Sequence, residues 1–428
     1  DGAFWYSRSS RKRDEVRTML FVAMMTTTAA VSLALFSPIR AQRTLALVMI
    51  LGIVLDWLVT RFLLEDFYLK RRASKEKKEN TDSLPSHPAL VWGWPLALLL
   101  LATIAITSPT GFEVLSVKQL LPEDDPAIAE MEEIQSKYVL ASSTTAWIAI
   151  DISGDSSQDL HRVLDLQQQL GTHPSVLTLD TGVFRSAMVV GLTAGENVSD
   201  NTTIDQLSSS NSGSLFLKDS RLQKDGSTSG VAIVALIDGQ DSDAALQFKD
   251  DVENLLEQNG LTGGIGGDLI MGASLTRDFD ESRMFQIFAA GVAVFIVSYA
   301  IIGSPRTAAR IAIGTLAVGI AVDGMASFMG GRGITTAPAV LLGMGFTADY
   351  LSHASSEHAP TKRDNSARWW AALSSLSAFV LLGLARFPPA KDAGNLLTIS
   401  ILFSVILATF LSFRHVNHTS KDFTDEEE

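Results

Sequence analysis

Eight stretches of this sequence run for close to twenty residues with almost no charge: 18 to 36, 44 to 64, 89 to 108, 284 to 303, 309 to 328, 334 to 352, 368 to 385 and 395 to 413. A helix needs ~20 apolar residues to cross the hydrocarbon of a bilayer, where every backbone polar group must be satisfied inside its own segment. The pattern predicts a polytopic α-helical membrane protein of eight spans, with one large domain held outside the membrane between the third and fourth.

Charge is partitioned in the same way. Residues 109 to 280 hold 27 acidic and 9 basic side chains, so this block alone carries −18 while the whole chain carries −13. With the first segment placed inside, the cytoplasmic segments collect 18 basic residues and the three short outer loops collect five, Arg40, Arg43, Arg332, Arg386 and Lys391. That imbalance is the positive-inside pattern, and it predicts a multi-pass protein of the cell membrane with both ends of the chain in the cytoplasm. The chain has no cysteine, which excludes disulfides, thiolate metal sites and a cysteine nucleophile.

Displaced by 350 residues, the chain matches itself without a gap: Lys12, Arg13 and Asp14 fall on Lys362, Arg363 and Asp364, and Pro38 falls on Pro388. Both copies read as a basic stretch, a span, a tight proline-containing outer turn and a second span. The expected organisation is then the last two spans of a first repeat (1 to 64), a basic cytoplasmic linker (65 to 88), the first span of a second repeat (89 to 108), an extracytoplasmic domain (109 to 280), a five-span bundle (281 to 413) and an acidic cytoplasmic tail (414 to 428). By this symmetry an N-terminal half of the same polypeptide, ~250 to 300 residues with its own outer domain, is expected to precede Asp1.

Within the outer block the pattern is α/β. Thr144 to Ile152, Pro174 to Leu179, Gly230 to Ile237 and Gly267 to Gly272 read as strands, and Ser157 to Leu170 and Ser242 to Gln258 as amphipathic helices. Two such units predict an α+β, ferredoxin-like porter domain. Glu196 to Ser229, rich in Ser, Asn, Asp and Gly, reads as a flexible loop. It carries glycosylation triplets at Asn197 and Asn201, which chance supplies readily in such a composition.

Chemistry rests on the few charges inside the spans. Asp349 lies deep in the sixth, Asp56 mid-span in the second, and Asp323 toward the outer end of the fifth, close enough to the surface to reach water. A mid-bilayer aspartate costs ~2.5 to 3.5 kcal/mol on insertion scales, so it must face protein or water. Binding a proton or a cation cancels that charge and lets the helices repack, which is how an ion gradient biases a two-state transporter. Tyr350 offers a hydroxyl to a neighbouring repeat, Thr347 and Ser352 offer oxygens, and Gly343 and Gly345 allow close helix approach. His353, four residues on, shares the helical face of Asp349 and is as well placed to pass protons as to sit at an interface. Asp349 and Tyr350 are thus the candidate ion-coupling pair, with His353, Thr347, Asp323 and Asp56 as secondary positions.

No enzyme constellation appears. There is no phosphate-cradling glycine loop followed by Lys and Ser or Thr, the seven histidines show no zinc spacing, and the basic clusters are short and juxtamembrane. A nucleotide-driven pump, a metal site, a bound cofactor and nucleic-acid binding are therefore unsupported.

Three features resemble the resistance-nodulation-division superfamily, in the branch that holds the mycobacterial membrane protein large exporters, Patched and Dispatched: Leu120 to Glu133 (LLPEDDPAIAEMEE), the Gly-x-x-x-Asp-Tyr-x-x-His pattern of Gly345 to His353 (GFTADYLSH), and the repeated proline hairpins. The resemblance covers spans five to twelve of a twelve-span protein. It implies export of lipid-like or amphipathic substrates driven by proton or sodium entry, with Asp349 and Tyr350 matching the ion-relay pair and membrane lipids as surroundings. The partner Asp-Tyr would lie before Asp1, so half of the relay is outside this chain. A non-transporting sterol- or lipid-sensing receptor or scaffold, and an accessory to protein secretion, share the architecture and stay open at this point.

Overall fold

The computed structural model describes residues 2–75, 92–109, 121–122, 124–177, 199–209, 221–329, 331–355 and 361–422. These separate into a helical unit, Asp1–Pro122 with Asp278–Glu428, and an α/β unit, Glu123–Arg277.

Helices coincide with all eight apolar runs. In chain order the helical unit contains α1 (Gly2–Arg8), α2 (Arg13–Ser32), α3 (Arg40–Val59), α4 (Glu65–Lys75) and α5 (Gly93–Thr107). A π-helical turn, Thr60–Leu64, joins α3 to α4. Five of the described helices are long and apolar enough to cross a membrane: Arg13–Phe36, Arg40–Lys70, Asp268–Ile302, Pro305–Ala326 and Pro388–Phe413. Gly93–Thr107 is apolar but shorter. The two remaining runs lie in helices diluted by the polar side chains that make them interesting, the Asp349 helix and the Lys362 helix described below.

The α/β unit contains α6 (Pro126–Lys137), α7 (Val139–Ser142), α8 (Ser157–Gly171), α9 (Ile204–Ser209) and α10 (Ser242–Gln258), with strands β1 (Ser143–Asp151), β2 (Arg221–Lys224), β3 (Ser227–Asp238) and β4 (Thr262–Gly266). The sheet order is β2-β3-β1-β4 and every neighbour is antiparallel. Alternation along β1 buries Ala146, Ile148 and Ile150 on one face, against Leu160, Val163, Leu166 and Leu170 of α8 and Phe248, Val252 and Leu256 of α10. α8 starts where Ser156 accepts from the Asp159 amide, and α10 where Asp241 accepts from the Asp243 and Ala244 amides, so both helix starts are capped by side chains.

Four expectations for this unit are corrected. The last strand is Thr262–Gly266 rather than Gly267 to Gly272, whose apolar residues open the next helix. Gly267 makes the break: it sits at φ +156°, and a Cβ there would lie 2.4 Å from the Thr145 carbonyl oxygen. The stretch 196 to 229 holds α9 and the strand β2, so it is not wholly a loop. Asp225 and Gly226, both at positive φ (55° and 84°), form the two-residue turn that pairs Lys224 with Ser227 and starts β3 three residues earlier than Gly230. Near Pro174 only an isolated bridge, Val176 to Ile237, is found, and 178 to 179 lie outside the described residues. Asn197 lies outside them too, while Asn201 sits in an exposed turn.

α11 (Asp268–Ile302) begins in the α/β unit and runs on into the helical unit, which continues with α12 (Pro305–Ala326), α13 (Ala337–Ala354), α14 (Lys362–Gly383) and α15 (Pro388–Asp422). α13 is its centre: 15 of its 18 residues are buried, and it packs against α2, α12 and α15. Two glycines make this possible. A Cβ on Gly345 would lie 2.6 Å from Thr27 Cγ2 of α2, and one on Gly343 would lie 2.4 Å from Ser400 Oγ of α15. In place of side chains there are hydrogen bonds, Thr27 Oγ1 to the Gly345 carbonyl at 3.0 Å and Thr347 Oγ1 to Ser404 Oγ at 2.7 Å.

Candidate functional site

Four carboxylates are buried among the described residues: Glu65, Asp323, Asp349 and Asp364. Three of them are compensated. Glu65 takes ion pairs from Arg13, Arg17 and Arg61, clipping α4 to α2. Asp364 accepts from the Ser9 hydroxyl at 2.5 Å and from the Ser10 amide and hydroxyl at 3.0 Å, and it closes a capping box with Thr361 at the start of α14. Burial works to raise the pKa of Asp364, but the Ser9 hydrogen bond, the Arg11 charge and the bonds from Ser10 and Thr361 outweigh it and hold the carboxyl below the usual range. Asp323 meets Arg283 Nη1 at 2.5 Å and Arg332 Nε at 3.5 Å.

That placement corrects the expectation that Asp323 reaches water. It is 3 % exposed, and the two arginines take the role assigned to solvent. Arg283 stands just ahead of an apolar run and Arg332 in a turn, so neither announced itself as a partner of Asp323. Arg368, counted with the cytoplasmic loops, is likewise inside, at 1 % exposure.

Asp349 is different. It is 9 % exposed, and its contact among charged groups is His353 Nε2, 2.9 Å from Oδ1 and one helical turn on. The carboxylate lines a cavity of about 410 Å³, together with Thr27 of α2, Asp56 and Trp57 of α3, Thr60 of the π turn and Ser375 of α14. The structure thus brings Asp56 and Asp349 to one cavity although 293 residues separate them in sequence. Thr347 is instead spent on helix packing through Gly343 and Ser404. The Tyr350 side chain is buried beside Asp349.

His353 is completely buried. Its ring lies 4.7 Å from that of Trp5 in an edge-on arrangement, and its backbone carbonyl accepts from Arg11 Nη2 at 2.9 Å. Trp5, Arg11, Thr27 and Ser375 were not assigned to the site by sequence reasoning. Their signal was weak, since a short helix ahead of the first span and hydroxyls on an apolar face have no motif of their own.

No protein-family model and no curated protein sequence matches the chain. Among solved structures it is similar to the hedgehog release protein Disp from the water bear Hypsibius dujardini, with a TM-score of 0.57 and 12% identity over 94% of this chain and 58% of that one. It is more loosely similar to the translocon-associated membrane protein SecDF from Thermus thermophilus (TM-score 0.46, 12% identity, 96% of this chain and 50% of that one) and to SecDF in a super-membrane-facing form (0.43, 10%, 97% and 50%). The chain spans less than two thirds of the length of each. Five of the described helices are long and apolar enough to cross a membrane, and the chain shares the fold of Disp over most of its length.

Proposed function

We propose that this protein is a secondary exporter, driven by a proton or sodium gradient, that moves lipid-like or amphipathic molecules, with Asp349 as the coupling carboxylate. In this reading all eight apolar helices span the cell membrane, both ends of the chain face the cytoplasm, and residues 109 to 280 lie outside. The β-α-β-β-α-β order of the α/β unit supports reading it as a ferredoxin-like porter domain.

The single observation that carries the proposal is that Asp349, alone among the described buried acids, faces a cavity with no basic partner other than a histidine. A fixed ion pair holds helices in place, whereas a buried charge beside a cavity can be cancelled by a mobile ion. Cancelling it removes a charge from the most enclosed helix, and α13 can then shift against α2 and α15 across the small-residue contacts at Gly345 and Gly343. Tyr350 completes the pair, and Asp56 supplies a second carboxylate on the facing wall.

The test is gradient-driven movement of a fluorescent phospholipid in proteoliposomes holding the full protein. Imposed pH or sodium gradients are expected to drive it in the parent and not in Asp349→Asn. Binding of the phospholipid without gradient-driven movement would instead identify a receptor or scaffold and overturn the proposal.

A further inference from the structure

We propose that a second cavity of the helical unit, which shares no lining residue with the one at Asp349, binds the head of a phospholipid carrying both a phosphate and a primary ammonium group. The inference rests on the reading above that these helices span a membrane, and not on Asp349 as the coupling site. The cavity measures about 470 Å³, within the ~300 to 1,000 Å³ common to small-molecule sites. Its walls are the stretch from Arg11 into α2, the end of α11 and the end of α13.

Charge and apolar surface are sorted along these walls. Arg11, Asp14 and Glu15 line the cavity at the start of α2, and Ser355 lines it at the end of α13. Farther into α2 the wall becomes Met19 and Val22, and α11 adds Ile301 and Ile302. A cavity with charged groups at one end of a helix and apolar ones deeper along it suits an amphiphile, and in the topology proposed above this end of the bundle meets the cytoplasmic leaflet. The Ser355 hydroxyl is an independent sign of a ligand. It is 2 % exposed, and its Oγ has no hydrogen-bond partner among the described residues. Buried hydroxyls are seldom left in that state.

The charges select the head. Arg11 is buried and donates to the His353 carbonyl at 2.9 Å and to the Met19 sulfur at 2.8 Å, which fixes a guanidinium in the wall, where it can meet a phosphate. Asp14 is spent on Arg17, 2.9 Å away. Glu15 is half-buried and forms no ion pair among the described residues, so it is the carboxylate that meets a cation. An anionic head without an amine would bring like charge to Glu15, and a lone hydroxyl would pair neither charge. A quaternary ammonium has no N–H to donate and is recognised by aromatic cages, and no aromatic side chain lines this cavity among the described residues. A primary ammonium, with three N–H donors, fits the carboxylate and the Ser355 oxygen.

The full protein, stripped of lipid in detergent, is titrated with phosphatidylethanolamine, phosphatidylcholine and phosphatidylglycerol of the same acyl chains, and bound lipid is counted by native mass spectrometry. The parent is expected to bind phosphatidylethanolamine about ten-fold more tightly than either of the others. Glu15→Gln should remove that preference at unchanged thermal unfolding. Glu15→Lys should turn it toward phosphatidylglycerol, a gain that a misfolded protein would not show. Equal binding of the three lipids, or a phosphatidylethanolamine preference that survives both variants, overturns the site. Soluble glycerophosphoethanolamine should fail to compete at the lipid's concentration, and equal competition overturns the assignment to a lipid. Asp349→Asn should keep the preference, so a loss of gradient-driven movement in that variant bears on the coupling site alone.

Discussion

The surroundings of Asp323 and Asp349 are two answers to one problem. Both aspartates lie in apolar helices of the same unit, and both are nearly closed off from solvent. Asp323 is pinned by two guanidiniums from outside its own helix, whereas Asp349 has an imidazole one turn away and a cavity in front of it. Burial alone therefore does not mark a functional carboxylate. What distinguishes Asp349 is that no fixed charge cancels its own, so a mobile one has work to do there.

The contrast can be broken most forcefully at Asp323. Asp323→Asn removes the carboxylate charge that faces buried Arg283 and partly buried Arg332, and is expected to destabilise the protein by about 3 to 5 kcal/mol, read by thermal unfolding in nanodiscs. Removing both charges together, Arg283→Met with Asp323→Leu, should recover much of that loss. A loss under about 1 kcal/mol for Asp323→Asn would mean that the pair is not a fixed brace.

A smaller effect sharpens the picture of α13 as a helix held by close approach. Gly345→Ala places a methyl against Thr27 Cγ2 and should cost about 1 to 3 kcal/mol. Thr27→Ser, which removes that methyl, should restore most of the loss in the double variant. Equal losses in the single and double variants would show that the crowding lies elsewhere.

Smaller still is the contribution of Asp364, a carboxylate satisfied by hydroxyls and amides. Asp364→Asn is expected to cost about 1 kcal/mol by weakening the bonds that tie Ser9 and Ser10 to the start of α14. Its folded pKa lies below the unfolded value of about 3.9, so its stabilisation is present above that value and is lost as pH falls through the folded one. Unfolding measured from pH 6 to pH 3 should then show a difference between parent and variant that is flat above about pH 5 and shrinks below it. A difference that shrinks already between pH 6 and pH 5 would contradict the assignment.

Much of the fold was legible because apolar length and period are local properties. Every apolar run became a helix, and β1, α8 and α10 fall within a residue of their expected bounds. The misses came where backbone geometry or distant partners decide. β4 is a Gly-rich strand whose glycines, Gly263, Gly264 and Gly266, gave no alternation to read. The Asp225-Gly226 turn was a short-range hairpin signal hidden by the polar stretch around it. At the site, Asp349 was visible as a charge out of place. Its cavity was not, because Asp56, Thr27 and Ser375 come from three other helices and only tertiary packing brings them together.

The central claim is tested most directly by ion flux per folded molecule in Asp349→Asn. Removing a charge that has no fixed partner should leave thermal unfolding within about 1 kcal/mol of the parent while flux under an imposed gradient is lost. Parent-like flux, or a loss of stability matching that of Asp323→Asn, would contradict it.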